Sequence, residues 1–476
     1  MDLVIAALQG GAASLASYLA AHVLLCLVPA FFIAGALSAL MPQASITRFL
    51  GPGAPRWVAY PAAAGAGSLL AVCSCTVQPL FAGIYGKGAG LGPAITFLFF
   101  APAANILALS YTGVALGADF AIARILLALI FGIGIGLLMA MLFRGDEQAR
   151  APMPGAFADG GIPRRNLMFV GTLVALLIAG TLKVEMLTAT LWQHSIAWPE
   201  AASAQALLDR WVPANEATGA EGISLQGVAL ITLLGLIGAA AWRGLGLIDS
   251  GVNRLTVPAL ALTVLTLAFA ALGLRASAAG IDLPVSGRTL AVPLLCAALL
   301  PQVRRFEAWD MQQWLWETWR FVKMIFPLLV VGVFLIGVIR VFIQPEWIKL
   351  VAGSNTVAAN LAGVVFGVFM YFPTLVEVPI AKMFLSLGMH PGPLIAYLMA
   401  DPELSLQSIL ITSAIIGKLK AWTYVGLVAL FSTLAGLAYG AWVDGTPALT
   451  LVLIVGGFVA TLVVALNLIE NRRTPC

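Results

Sequence analysis

CSCTVQPLFAGIYGKGAGLGPAITFLFFAPAANILAL, residues 73–109, and VEVPIAKMFLSLGMHPGPLIAYLMADPELSLQSIL, residues 376–410, decide the fold between them. Set 300 positions apart, they place Pro79 on Pro379, Gly88 on Gly388, Gly92 on Gly392, Pro93 on Pro393 and Pro102 on Pro402. The register continues without a gap through Thr112/Thr412, Gly117/Gly417, Phe131/Phe431 and Gly136/Gly436. Apolar matches alone carry little weight in so apolar a chain. Matched prolines and glycines carry more, because they set where a backbone bends or packs closely. With a shift of two residues the similarity extends upstream, to Gly51/Gly353 and Gly35/Gly337. The chain therefore holds two copies of one unit, spanning about 22–143 and 322–442.

Of 476 residues, 61% are hydrophobic and 10% charged, and the mean hydropathy is +1.00. A soluble domain of this composition would not cover its surface with polar groups; a domain in lipid has no need to. Nearly uncharged runs such as 92–112, 120–143, 225–242 and 449–467 approach the roughly 20 residues that cross a hydrocarbon core of about 30 Å. They must be helices, because a helix satisfies its own backbone in lipid, and a closed barrel would show short alternating segments instead. The expected class is all-α, a polytopic integral membrane protein with two inverted-topology helical repeats and helices broken near the midplane. Net charge is only +4, so no nucleic-acid partner is expected; the lipid bilayer is. The opening MDLVIAALQGG lacks the basic stretch of a cleaved signal.

Inversion follows from Lys and Arg, which favour cytoplasmic loops. In the first copy Lys87 sits in one loop and Arg144, Arg150, Arg164 and Arg165 follow the end, while 113–119 has no basic residue. In the second copy the matched loop at 386–392 has no Lys or Arg, and Lys418 and Lys420 occupy the other. Opposite bias at matched loops implies opposite orientation, as in many secondary transporters. The expected organisation is a first repeat over 1–143, a polar linker over 144–165, and inserted spans, about four of them, over 166–302. An interfacial amphipathic helix over 303–322, a second repeat over 323–442 and a final span with tail over 443–476 complete it.

Transport sites sit where spanning helices are interrupted, since freed backbone groups there hold ligands. Pro79, Pro102, Pro379 and Pro402 mark four expected breaks, paired between the copies. The first contains Cys73, Ser74, Cys75 and Gln78. In a helix residues i and i+2 point roughly 200° apart; in an unwound stretch two such cysteines share a side. Their thiolates would then suit a soft metal or metalloid, although buried cysteines also serve as small inert hydrophobes. The second copy carries Pro373 and Leu375 at those places, and adds Glu377, Asp401 and Glu403. Acids within apolar spans are costly and mark ion or proton pathways, so Glu377 and Asp401 are the candidates for proton coupling. Asn105, after Pro102, is a neutral candidate that could bind a ligand or join two helices. His22, His194, His390, Cys26, Cys296 and Cys476 have no second ligand beside them in sequence and read as structural or solvated.

The two quoted runs resemble the signatures of the ArsP-type permeases, in both halves of the chain. The resemblance implies a bacterial inner-membrane permease, in some members an exporter of trivalent organoarsenicals, with Cys73, Cys75, Pro102, Asn105, Glu377, Asp401 and Glu403 as the matching site. The inserted spans depart from the compact two-repeat core expected of arsenical exporters. No ATP-binding motif or metal-binding tail is present and no cofactor is expected; the partner is a small-molecule or metal(loid) solute, and self-association as a homo-oligomer stays open. Two other functions compete: a membrane redox enzyme using Cys73 and Cys75 as a dithiol, and a membrane subunit of a larger complex.

Overall fold

The computed structural model describes residues 2–21, 23–40, 43–69, 74–146, 163–181, 185–212, 214–215, 220–245, 248, 254–277, 280–342, 346–369 and 374–473. About 82% of the described residues are helical. Among the described residues, six helices are long and apolar enough to cross a membrane, or seven if the bent pair Pro391–Leu404 and Leu406–Ile416 is one span. The protein is an all-α polytopic membrane protein.

Helix boundaries recur at the offset read from the sequence. Arg56–Leu69 corresponds to Val357–Phe369, Ser74–Gly86 to Thr374–Ser386, and Leu91–Ala103 to Pro391–Leu404. Ile106–Ala115 corresponds to Leu406–Ile416, and Ala118–Leu142 to Lys418–Val443. Two of the turns between them repeat in detail. Gly88 and Gly388 have φ of 92° and 91°, and Gly117 and Gly417 have φ of 113° and 88°, values that only glycine reaches without strain.

The chain divides into two compact units. The first comprises 1–45, 75–87 and 159–338. Its inserted part includes the helices Arg164–Thr181, Leu225–Gly244, Thr256–Ala270 and Gly287–Val303. Leu24, Leu176, Leu230, Leu267, Val292 and Cys296 form a buried core among them. Strands Thr190–Ala197, Gly280–Ser286 and Arg275–Ser277 make an antiparallel sheet with Gly280–Ser286 in the middle.

Residues 303–322, expected as a separate interfacial helix, are instead continuous with the following span from Ala308 onwards. Ala308–Arg340 is one helix of 33 residues. No Gly or Pro interrupts it before Pro327, and Trp314 and Trp319 are buried in the bundle rather than laid on its surface. Trp314 donates its indole N–H to the Phe32 carbonyl at 2.9 Å and meets Phe169 edge-on.

The second unit comprises 46–74, 88–158 and 339–476. Leu91–Ala103 packs along Ala118–Leu142, as Pro391–Leu404 does along Lys418–Val443. Each crossing closes on a glycine pair. A Cβ on Gly136 would stand 2.6 Å from the Gly92 carbonyl oxygen, and one on Gly436 2.6 Å from that of Gly392. Such spacing is the small-residue packing that replaces hydrophobic drive in lipid. The copies also meet within this unit. Phe131 meets its own counterpart Phe431, ring centroids 5.1 Å apart and planes tilted by 58°, and Thr374–Ser386 of the second copy packs on Ile106–Ala115 of the first.

Candidate functional site

Both broken helices of the second unit end at the prolines read from the sequence. Leu91–Ala103 stops one residue after Pro102, and Pro391–Leu404 turns by 48° at Ser405 into Leu406–Ile416. The helix that follows each break is capped by its first polar residue. Asn105 Oδ1 accepts from Ala108 N–H at 2.8 Å, and Ser405 Oγ accepts from Ser408 N–H at 3.3 Å. The Asn105 amide nitrogen donates to the Ala101 and Pro102 carbonyls at 3.1 and 3.3 Å. Its side chain thus ties the broken ends together, the structural work of an N-cap.

Arg124, fully buried in Ala118–Leu142, organises the first break. Its Nε donates to the Ala103 carbonyl at 2.8 Å and Nη1 to Thr112 Oγ1 at 3.2 Å. Nη2 donates to Glu377 Oε1 at 3.0 Å and Oε2 at 3.3 Å. Ala103 is the last residue of its helix, so its carbonyl has no intrahelical donor. One guanidinium therefore closes the broken helix of the first copy and neutralises an acid from the second.

At the offset of 300, Arg124 becomes Tyr424 and Ala103 becomes Glu403. The same two positions touch again: Tyr424 O–H donates to Glu403 Oε2 at 2.6 Å. Glu377, Asp401 and Glu403 are each 3% exposed or less. Asp401 lies against Val357–Phe369; a Cβ on Gly367 would stand 2.9 Å from its backbone nitrogen.

The cysteine segment differs from expectation. Cys73 lies outside the described residues. Ser74 and Cys75 open the helix Ser74–Gly86, which passes through Pro79 without a break. Pro79 comes so early in this helix that its missing N–H removes one bond near the start of the ladder. Its counterpart in the other copy, Pro379, likewise lies within the helix Thr374–Ser386. Gln78 is buried, and the neighbouring Thr76 hydroxyl is hydrogen-bonded to the Cys26 thiol. Cys75 and Gln78 belong to the first unit, and Pro102, Asn105, Glu377, Asp401 and Glu403 to the second.

Arg124 and Tyr424 were not singled out in the sequence. Arg124 left a signal, being the one charge in the run 120–143, and an intramembrane cation is as informative as an intramembrane acid. Tyr424 left none, because a tyrosine in such a span also serves as an interfacial anchor.

Spanning helices, breaks with capped ends and a buried ion pair define a polytopic membrane permease. A family profile described as a predicted permease, of the ArsP type, matches residues 9–441, and the chain belongs to that family. The UPF0718 protein of Methanocaldococcus jannaschii is 32% identical over 426 residues, covering 89% of this chain and 93% of that protein. No solved structure matches.

Proposed function

We propose that the chain is a secondary permease of the bacterial inner membrane that exports a small thiophilic solute, such as a trivalent organoarsenical or another metalloid species. Two oppositely oriented copies would give alternating access, with Cys73 and Cys75 as soft ligands for the load and the buried acids as proton carriers. The observation that carries this reading is the pair of matched helix breaks, each flanked by a buried ionisable side chain. Ionisable groups persist in lipid chiefly where ions or protons pass, and broken helices supply backbone partners for a solute. The ArsP-type membership supports the arsenical class.

The test is resistance and accumulation in a metalloid-sensitive bacterial strain exposed to methylarsenite, arsenite and unrelated thiophilic metals. The wild type is expected to confer resistance with low accumulation, and Cys73→Ser/Cys75→Ser to lose both at equal membrane abundance. A wild type with no effect on any of them removes the thiophilic assignment. Resistance that survives the cysteine substitutions removes thiol coordination.

A further inference from the structure

The two copies place opposite charge at one matched contact, on different partners of it. In the first copy the contact between positions 124 and 103 joins a guanidinium to a backbone carbonyl. In the second the same contact joins a phenol to a carboxyl. The cation has gone from the long helix and an acid has appeared at the end of the broken one. We infer that Glu403 is the seat of an exchangeable monovalent cation, and that Arg124 is its covalently held equivalent in the first copy. This rests on the reading of the chain as a permease, and it assigns the coupling ion of that permease to a particular carboxyl.

Three observations carry it. Glu403 is buried, and its Oε1 has no hydrogen-bond partner among the described residues. Four residues on, across the break, Gln407 is fully buried with neither amide atom partnered among the described residues. No described side-chain cation on the helices packed against Pro391–Leu404 is left to neutralise Glu403. Arg124 is committed to Glu377, Lys420 to Asp146 at 2.8 Å, and Lys382 and Lys418 are exposed. The remaining titratable groups on these elements are Tyr424, which donates to Glu403, Tyr439, the exposed Asp119, and Asp401 and Tyr397 on the same helix. A carboxylate out of water and uncompensated is strongly disfavoured. The neutralising charge therefore comes from solution, as a proton or as sodium. Carboxylate and amide oxygens are hard donors, suited to either.

The experiment is thermal unfolding of the full-length protein in detergent, between pH 6 and 8, in sodium chloride or choline chloride. If sodium is the ion, sodium raises the wild-type midpoint over choline at pH 8. If it is the proton, the midpoint rises as pH falls and sodium has no effect. In either case Glu403→Gln abolishes the response, Tyr424→Phe shifts the sodium concentration or pH at which it occurs, and the surface variant Asp310→Asn keeps it. A wild type indifferent to both ions overturns the inference, as does a wild-type response in Glu403→Gln. The readout is ion binding alone, so a failed arsenical assay leaves it standing, and its failure leaves the arsenical assay unaffected.

Discussion

At Arg124, hydrogen bonds from three nitrogens converge on a backbone carbonyl, a hydroxyl and both oxygens of Glu377. A buried pair is costly to halve and cheap to replace whole: removing one partner costs about 3–5 kcal/mol, whereas swapping both for apolar groups is often neutral. Arg124→Leu or Glu377→Leu alone is therefore expected to lower the thermal midpoint sharply, and the double variant to recover most of it. A double variant as unstable as the two losses added would show that the pair is not what makes the single changes harmful. Arg124→Lys is expected to fail as well, because an ammonium cannot span the fork of acceptors that a guanidinium reaches. At this scale Glu377, Asp401 and Glu403 were legible, since an acid in an apolar run has few bland explanations. Asn105 was legible as a special residue but not as a cap, because capping depends on which carbonyls the break leaves open. The geometry of Ser74 and Cys75 was not legible, because proline's effect depends on its distance from a helix start that the sequence does not print.

Helix crossings in the second unit depend on glycines chosen for closeness. Gly136→Ala and Gly436→Ala each place a methyl 2.6 Å from a facing carbonyl oxygen, whereas Gly134 has its nearest neighbour at 3.9 Å and Gly426 has none within 4 Å. The first two substitutions are expected to reduce folded yield and thermal midpoint in detergent; Gly134→Ala and Gly426→Ala are expected to leave both near wild type or slightly raised by better helix propensity. Equal losses in all four would mean that close approach is not the reason for these glycines. The matched Pro102 and Pro402 made the breaks readable in advance, and Gly117 and Gly417 their flanking turns. The continuity of Ala308–Arg340 was not readable, because a Trp-rich charged stretch satisfies both an interfacial helix and a buried one.

For the whole molecule, Phe131 against Phe431 is the informative contact. A residue that meets its own counterpart lies beside a local two-fold relation, as at a self-complementary interface. The charge bias of the loops favours an axis in the membrane plane. Single cysteines replacing Asp119 and Leu419, both exposed at matched positions, are then expected to react with an impermeant thiol reagent from opposite sides of the membrane, in a background lacking the native cysteines. Labelling from one side would make the copies parallel. The 300-residue offset revealed the duplication because prolines and glycines survive divergence as backbone requirements. The sheet was hidden: TLWQHSIA at 190–197 is exposed along its length, so no buried face left an alternating pattern, and its partner lies some 90 residues further on.

That sheet also fixes a parity. Strand Thr190–Ala197 follows helix Arg164–Thr181, and strand Gly280–Ser286 runs directly into helix Gly287–Val303. Strands that exchange hydrogen bonds occupy one compartment, so the chain between them crosses the bilayer an even number of times or not at all. Where the two flanking helices each cross once, Arg164 and Arg304 emerge together on the opposite side. The inserted segment is then topologically silent: its removal or acquisition leaves the orientation of every later helix unchanged, which is the condition under which a pair of repeats tolerates so large an interruption.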